Sequence, residues 1–311
     1  MLRRGSGHEA NTACRGKIHI GISGWRYKGW RRVFYPDKLP QRRELEFASR
    51  KFDTIELNGS FYSLQRPSSF SHWDAETPED FIFSIKGSRY ITHMLRLRNA
   101  EGALANFFAQ GLLRFGPKLG PILWQLPPNF SFEPEQIELF LALLPTTQKQ
   151  AAELARNHDG RLNGRSWFDV ERDLPVRHAL EIRHESFVCE KFIRLLRRYG
   201  MGLVVADTVE WPLLMDVTAP FVYCRLHGSE ELYASGYEAE ALDIWARRVV
   251  TWASGREVDD GRKASKRDAA KRKRRDVYVY FDNDIKVRAP FDAAQLRERV
   301  TRLLQIQSVH G

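Results

Sequence analysis

The chain has 311 residues, of which 43% are hydrophobic, and a formal net charge of +10. It is long enough to bury a large core, and no apolar run reaches the roughly 18 residues that a membrane span needs. Cys14, Cys189 and Cys224 are odd in number and widely spaced, which argues against a disulfide framework and favours a cytoplasmic protein.

Eight short apolar runs are predicted to be β-strands, because buried parallel strands are apolar throughout rather than at alternate positions. In chain order they are Lys17–Ile22, Thr54–Leu57, Phe81–Ile85, Pro121–Trp124, Ala179–Ile182, Leu203–Ala206, Phe221–Leu226 and Val277–Phe281. Apolar residues spaced three and four apart predict helices between most of them. These are Glu44–Lys51, Ala103–Leu113, Pro134–Leu144, Thr147–Asn157, Glu190–Tyr199, Ala239–Ala253 and Asp292–Ile306.

This alternation of strand and helix predicts parallel strands joined by crossovers. Eight such strands favour a single-domain (β/α)8 barrel of the TIM type over residues 17–307, and a six-stranded doubly wound sheet is the alternative.

Most of the positive charge lies outside this predicted barrel. Residues 1–17 hold four basic residues and one acidic residue, and residues 256–275 hold ten basic and four acidic residues. We predict that residues 1–16 form a flexible basic tail, which lacks the apolar stretch of a secretory signal. Residues 256–275 are predicted to be a flexible basic insertion, with residues 258–275 making no packed core contact because they hold almost no large apolar side chain.

Polar residues follow most of the predicted strands at their carboxyl ends, which in a TIM-type barrel form the mouth where ligands bind. Side chains two residues apart on a strand share a face, so three pairs are each expected to point in one direction. These pairs are Glu56 with Asn58, Glu181 with Arg183, and Arg225 with His227. Cys224 then faces the helices, and we predict that it is a packing residue rather than a nucleophile.

Carboxylates and imidazoles at the mouth are candidates for acid–base catalysis. The catalytic candidates are Glu181, His227, Asp207 and Glu56, and Asp282 is a further carboxylate in this region. Glu181 is the predicted central proton-transfer group, because strand alternation points it at the barrel axis. The same charges would also suit a structural salt-bridge ring, since buried charges must be paired, but their place at the mouth favours a functional site.

Other residues at the strand ends are candidates for contact with the substrate. The cations expected to bind an anionic group are Arg183, Arg225 and Lys86, and the amides expected to orient it are Asn58, Gln125 and Asn283. The aromatic side chains expected to lie under a ring or sugar are Trp25 and Tyr62. His93 is expected to serve as a second acid or base.

A divalent metal at the mouth is a less favoured interpretation. Its ligands would be Glu56, Glu181, Asp207 and His227. No local signature such as HExxH supports it, and Arg183 and Arg225 on the same rim would repel a cation.

The motifs at the strand ends resemble those of the YecE-like family, called domain of unknown function 72. They are Gly21–Trp25, Glu56–Tyr62, Ile91–His93, Leu119–Pro121, Gln125–Pro127, Glu181–Phe187, Ala206–Asp207, Arg225–Gly228 and Phe281–Asn283. The resemblance runs from about Lys17 to Val300. It implies a TIM-type barrel and no particular reaction.

Together these features favour a cytoplasmic enzyme that acts on a small phosphorylated or carboxylated substrate by hydrolysis, isomerisation or lyase chemistry. One alternative is a nucleic-acid-associated protein that uses the tail and residues 256–275. The other is a barrel that binds a ligand without catalysis.

Overall fold

A computed structural model describes residues 15–228, 232–233 and 235–309. In this part of the chain eight parallel strands form a closed barrel in sequence order, and the last strand pairs with the first. The strands are β1 Ile18–Ser23, β2 Thr54–Leu57, β3 Ile82–Lys86, β4 Leu119–Gln125, β5 His178–Glu181, β6 Gly202–Asp207, β7 Phe221–Leu226 and β8 Asp276–Phe281. The predicted TIM-type barrel is confirmed, and the doubly wound alternative is excluded because the sheet closes on itself.

Helices cover the outside of the barrel. They are α1 Glu44–Ser49, α2 Gly59–Tyr62, α3 Pro67–Glu76, α4 Glu101–Ala109, α5 Pro134–Leu143, α6 Gln148–Ala155, α7 Glu190–Tyr199, α8 Ala239–Ala253 and α9 Ala289–Val309. Short 3-10 turns occur at Lys28–Trp30, Gln41–Arg43, Leu112–Lys118, Gly160–Leu162 and Glu185–Phe187, and a π-helical turn at Tyr90–Met94. No helix in the described ranges is long and apolar enough to cross a bilayer.

All seven predicted helices are present, with their ends shifted by a few residues. The predicted Ala103–Leu113 ends early because Gly111 adopts a φ of +116° and starts a new turn. The helices α2 and α3 are absent from the predicted set. In α3 only Phe70 and Trp73 are buried, so the apolar spacing is too sparse to indicate a helix.

The barrel interior differs from the layer between barrel and helices. That outer layer is the large apolar core, whereas the interior holds a smaller cluster that includes Tyr223 and Tyr280. The Tyr280 hydroxyl lies 2.7 Å from Thr54 Oγ1, and the Tyr223 hydroxyl lies 2.9 Å from Ser84 Oγ. Hydroxyl groups therefore line the axis below the mouth, where they can hydrogen-bond to buried carboxylates.

The basic insertion, residues 256–275, forms no helix or strand but is attached to the barrel. Val258 is only 5% exposed and belongs to the large core, so the predicted absence of a packed core contact is wrong. Asp216 accepts hydrogen bonds from the backbone N–H groups of Ala264 and Ser265, at 2.7 and 3.0 Å. Val258 and these hydrogen bonds attach the segment together, and burial of a valine side chain contributes about 1.5–3 kcal/mol.

Residues 1–14 of the predicted basic tail lie outside the described residues. Next to them, the Gly16 N–H donates to the Ala253 carbonyl at 2.9 Å, and Arg15 Nη2 donates to Gln307 Oε1 at 2.7 Å.

Candidate active site

Arg225, near the end of β7, lies at the centre of the barrel mouth and is fully buried. Its Nε and Nη2 donate to the two oxygens of Glu56, each at 3.0 Å. Nη1 donates to Glu181 Oε2 at 2.7 Å, and Nη2 donates to Asp282 Oδ2 at 2.6 Å. One guanidinium therefore joins carboxylates from β2, β5 and the end of β8, an arrangement that only the planar fork of arginine allows.

Glu56 is the best-satisfied of these carboxylates. Besides Arg225 it accepts hydrogen bonds from Ser23 Oγ at 2.6 Å and from the Tyr223 hydroxyl at 2.7 Å. Four hydrogen bonds compensate for its complete burial. The geometry assigns Glu56 to the support of Arg225, since neither oxygen is left to face a substrate.

Glu181 bridges two arginines. Its Oε1 accepts from Arg183 Nε at 2.8 Å, and its Oε2 accepts from Arg225. Burial alone would raise the pKa of Glu181, but the two guanidinium groups outweigh it and hold the pKa well below its usual range. This geometry favours an ion-pair role for Glu181 over the predicted proton transfer, because a carboxylate held in the ionised form is a weak base.

Arg183 and Arg225 were predicted to converge on one cavity, and they converge on one carboxylate, since both bind Glu181. Neither arginine is free, however. The Arg183 guanidinium lies 3.9 Å from the Trp211 ring centroid, and its Nη2 donates to the Tyr233 hydroxyl at 3.2 Å. An anion would have to displace partners that are already in place.

His227 lies beside this network and is fully buried. Its Nδ1 is 3.3 Å from Asp282 Oδ2, and its Nε2 is 3.5 Å from Arg225 Nη1. Burial and the charge of Arg225 lower the pKa of His227. The imidazole is therefore neutral at physiological pH, which is the form that accepts a proton.

Lys86, the last residue of β3, differs from the two arginines. It is 9% exposed, and within the described ranges no carboxylate oxygen lies within 4.0 Å of its Nζ. Its nearest aromatic neighbour is Phe61, whose ring centroid is 4.4 Å from Nζ. Burial and the nearby Arg225 charge lower the pKa of Lys86 to about 8. Near neutral pH this amine is therefore partly deprotonated.

Asp284 is a mouth residue that the sequence analysis missed. It follows β8 and is partly buried, and burial together with the adjacent Asp282 carboxylate raises its pKa to about 7. A group with this pKa can donate or accept a proton at neutral pH. The signal was present in the Asp282-Asn283-Asp284 run, where two carboxyl groups follow directly after a predicted strand.

His93 lies in the π-helical turn that follows β3. Its ring meets Phe61 edge-on at 5.3 Å between centroids, and its Nδ1 is 2.8 Å from Thr92 Oγ1. Burial, then the charges of Arg183 and Lys86, lower the pKa of His93 to about 4. The predicted His93 therefore joins Lys86 and Phe61 on one side of the mouth.

The loop after this π-helical turn has an unusual backbone. Arg96, Leu97 and Asn99 have φ values of 51°, 66° and 47°, in the left-handed region that non-glycine residues rarely occupy. The side chain of Gln136 donates a hydrogen bond to the Arg96 carbonyl and supports the conformation. Such turns and strained residues concentrate near functional sites, and here they follow the segment that carries His93.

A family model described as "Protein of unknown function DUF72" matches residues 19–309. The chain belongs to the DUF72 family. The protein named UPF0759 protein YecE from Escherichia coli (strain K12) is 28% identical over 240 residues, which are 76% of this chain and 82% of YecE. UPF0759 protein YunF from Bacillus subtilis (strain 168) is 30% identical over 156 residues, which are 49% of this chain and about half, 52%, of YunF.

Solved structures support the same fold. A DUF72 family protein from Thermotoga maritima MSB8 superposes with a TM-score of 0.68 at 23% identity, covering 92% of this DUF72 chain and 99% of its own. A DUF72 family protein from Enterococcus faecalis v583 gives a TM-score of 0.63 at 16% identity, covering 93% and 99% of the two chains. At these identities the likeness shows the barrel architecture alone.

Two polar residues expected at the mouth of this DUF72 protein face the helices instead. Asp207 Oδ2 accepts from Trp245 Nε1 of α8 at 3.0 Å, because Asp207 occupies the outward face of β6. Asn283 Nδ2 donates to Asp292 Oδ2 of α9 at 2.8 Å. Both are therefore placed to hold helices against the barrel rather than to contact a substrate.

The structure places the two predicted aromatic platforms in different surroundings. Trp25 is buried in the outer core and packs edge-on against Trp73, with 5.7 Å between ring centroids. Tyr62 is 69% exposed and touches Phe61 at 5.0 Å between centroids. Of the aromatic side chains near the second strand, Phe61 is the one that reaches Lys86.

Asn58 and Gln125 remain candidates for substrate contact. Asn58 Nδ2 donates to Ser23 Oγ at 3.0 Å, and Gln125 ends β4 opposite Glu181. Their side-chain oxygens are buried and accept no hydrogen bond from the described residues. Buried acceptors are normally satisfied, so these two atoms suit the hydroxyl or amine donors of a ligand.

No group of three or more His, Cys, Asp or Glu side chains in the described ranges could hold a metal ion. Asp207 faces α8 and is not available at the mouth. Glu56 and Glu181 direct their oxygens at Arg225. Three of the four candidate metal ligands, Glu56, Glu181 and His227, therefore surround the Arg225 guanidinium, and Asp207 lies apart from them.

Proposed function

We propose that this DUF72 protein is an enzyme that acts on a small anionic substrate at the mouth, with the substrate anion paired to Lys86. The observation that carries the proposal is the state of Lys86: a buried cation without a carboxylate within 4.0 Å among the described residues. A buried ammonium is costly unless it is paired. A substrate anion would supply the missing partner.

A carboxylate fits this site better than a phosphate dianion. Three basic side chains, Lys86, Arg183 and Arg225, face three carboxylates at the mouth, namely Glu56, Glu181 and Asp282. Asp284 adds a fourth acid. With no surplus of positive charge, the mouth favours a single negative charge over two.

Proton transfer in this proposal belongs to Asp284, whose charged neighbours are Asp282 and Arg225. The pKa of Asp284, about 7, suits a general acid or base at neutral pH. The Arg225 network acts as a rigid support, because its charges are fixed by several hydrogen bonds from different strands. Acid–base groups of this kind serve hydrolases, isomerases and lyases alike.

The test is a thermal-shift screen of acetate, pyruvate, malate, glycerol phosphate and inorganic phosphate against the wild type and Lys86→Met. Carboxylates should raise the wild-type Tm and lose this effect in Lys86→Met. Lys191→Met, which removes an exposed lysine of α7, is the control and should respond as the wild type does. An equal carboxylate response in Lys86→Met would contradict the proposal. Turnover of each compound is measured by proton NMR. Binding without turnover would favour the alternative of a barrel that binds a ligand without catalysis.

A second candidate function, nucleic-acid association, is favoured by one observation. Residues 271–274 are four consecutive lysines and arginines, all exposed, and they lie just before β8 at the end of the barrel opposite the mouth. Such a run suits phosphate contacts. Replacing all four with alanine should abolish salt-dependent binding of duplex DNA or RNA. A control that replaces Lys28, Arg42, Lys191 and Arg194 with alanine should retain it, and equal loss in both variants would indicate a nonspecific charge effect.

A further inference from the structure

Lys86 has the surroundings of an amine nucleophile. We infer that Lys86 Nζ forms an imine with the carbonyl group of a 2-oxo acid. This inference rests on the proposed function, since it uses the same lysine at the same mouth and names the class of carboxylate.

The position of Lys86 directs its side chain to the barrel axis. Ser84, two residues earlier on β3, contacts the Tyr223 hydroxyl inside the barrel, so Lys86 shares that inward face. The backbone is fixed as well, because Ser60 Oγ donates to the Lys86 carbonyl at 2.7 Å. The backbone from which this side chain extends is therefore held in place, and burial limits the space open to the side chain itself.

Lys118 shows what a structural buried lysine looks like in this protein. It is also 9% exposed, but its Nζ donates to the carbonyls of Asp74 and Thr77 at 2.7 and 3.2 Å. It also pairs with Asp74 Oδ1 at 3.0 Å. These acceptors stabilise the ammonium form of Lys118, whereas Lys86 has none of them among the described residues.

The groups around Lys86 favour its neutral form. Phe61 covers one side, and Arg225 and the neutral His93 lie on others. The carboxylates that act on Lys86 are Asp282, Glu56 and Glu181, all of which already bind Arg225. With a pKa of about 8, roughly a tenth of the amine is neutral at pH 7, which is the form that attacks a carbonyl.

The Nζ lone pair attacks the carbonyl carbon, and one proton passes from Nζ to the carbonyl oxygen, giving a neutral carbinolamine. The hydroxyl oxygen then takes one proton from solvent and leaves as water, while the nitrogen lone pair forms the C=N bond and gives the protonated imine. Once protonated, the imine nitrogen keeps the positive charge that pairs with the adjacent carboxylate of the 2-oxo acid. One lysine can therefore serve both groups of a 2-oxo acid: its nitrogen attacks the carbonyl carbon, and its positive charge pairs with the carboxylate.

Reductive trapping tests the inference. The protein is incubated with glyoxylate or pyruvate, reduced with sodium cyanoborohydride, and analysed by intact mass and peptide mapping. We expect one reduced adduct per chain, located on Lys86 and formed at least about tenfold faster than on any exposed lysine, as suits a lysine of depressed pKa. The rate should rise between pH 7 and 9 as the amine loses its proton. Lys191→Met should be labelled like the wild type.

Two variants separate this inference from the proposed function. Lys86→Arg keeps the positive charge and cannot form an imine, so it should still bind carboxylates in the thermal-shift screen but should lose the adduct. Lys86→Met should lose both. Labelling spread evenly over the exposed lysines, and equal in the wild type and Lys86→Met, would overturn the imine. If carboxylate binding depends on Lys86 but no adduct forms on it, the imine fails and the proposed function stands. If neither depends on Lys86, both fail.

Discussion

Lys86 and Lys118 are equally buried, but only Lys118 has a carboxylate partner within 4.0 Å in the described part of the chain. Both are 9% exposed, and the difference lies in what surrounds them. Burial without a partner lowers the stability of a fold. Lys86 lowers the stability at the mouth of the barrel, which is where ligands bind in this fold, and this position favours a role in binding.

This contrast predicts opposite effects of the same substitution. Lys118→Met should lower the free energy of unfolding by about 1–3 kcal/mol, because the Asp74 and Thr77 carbonyls lose their donor. Lys86→Met should leave it unchanged or raise it, since it removes a buried charge that has no carboxylate within 4.0 Å among the described residues. Urea unfolding of both variants measures the difference. Equal destabilisation would mean that Lys86 is a structural residue.

The Arg225 network predicts a strong dependence of stability on one guanidinium. Arg225→Met leaves Glu56, Glu181 and Asp282 buried without their shared partner, and it should lower the free energy of unfolding by about 3–5 kcal/mol. Arg198→Met removes an exposed pair with Glu138 and should cost less than about 1 kcal/mol. Chemical denaturation compares them. A small loss in Arg225→Met would show that these carboxylates find water or other partners.

The raised pKa of Asp284 predicts that this residue destabilises the protein at neutral pH. A carboxyl group with a higher pKa in the folded state contributes stability below its unfolded pKa, about 3.9, and this contribution is lost as pH rises through about 7. Asp284→Asn should therefore be more stable than the wild type at pH 8 by about 1–2 kcal/mol, a value reduced for solvent screening. At pH 4 the two should be alike. If the difference in the free energy of unfolding between the variant and the wild type were the same at pH 4 and pH 8, titration of Asp284 would not be its cause.

Glu181 and Asp282 predict the opposite trend at low pH. Their folded-state pKa values lie below those of free carboxyl groups, since Arg225 outweighs the effect of burial. Their contribution to stability is present above pH 5 and is lost as the pH falls through the unfolded pKa, about 4, toward the low folded values. Thermal unfolding of the wild type between pH 6 and 2.5 should show a falling Tm. In Glu181→Gln the fall should be shallower, and an unchanged slope would contradict the assignment.

Val258 predicts that the basic insertion contributes to the fold. Val258→Ala should lower the free energy of unfolding by about 1–2 kcal/mol, because it removes buried methyl groups from the outer core. Val209→Ala is the matched control, since Val209 is 57% exposed and should change stability by less than about 0.5 kcal/mol. Equal effects would mean that the Val258 contact is not maintained in solution.

The sequence by itself determined the barrel. Strands buried on both faces must be apolar along their length, so runs such as Thr54–Leu57 and Phe221–Leu226 could be located closely. Strand alternation also placed Arg225 and Glu181 inward and Cys224 outward, and all three predictions are confirmed. Applied to β6, the same alternation would have placed Asp207 outward.

Only the tertiary structure decided which charges meet. The partners of Arg225 come from strands far apart in the chain, and whether each pair closes depends on strand stagger and on how side chains fill the barrel axis. The same packing leaves Lys86 beside Phe61 without a carboxylate among the described residues. It also buries Val258 inside a charged segment whose composition predicts no such contact. The position of a residue on a strand determines the direction of its side chain. A charge pair or a core contact depends instead on the distance between atoms of different strands, and these atoms come together only when the barrel closes.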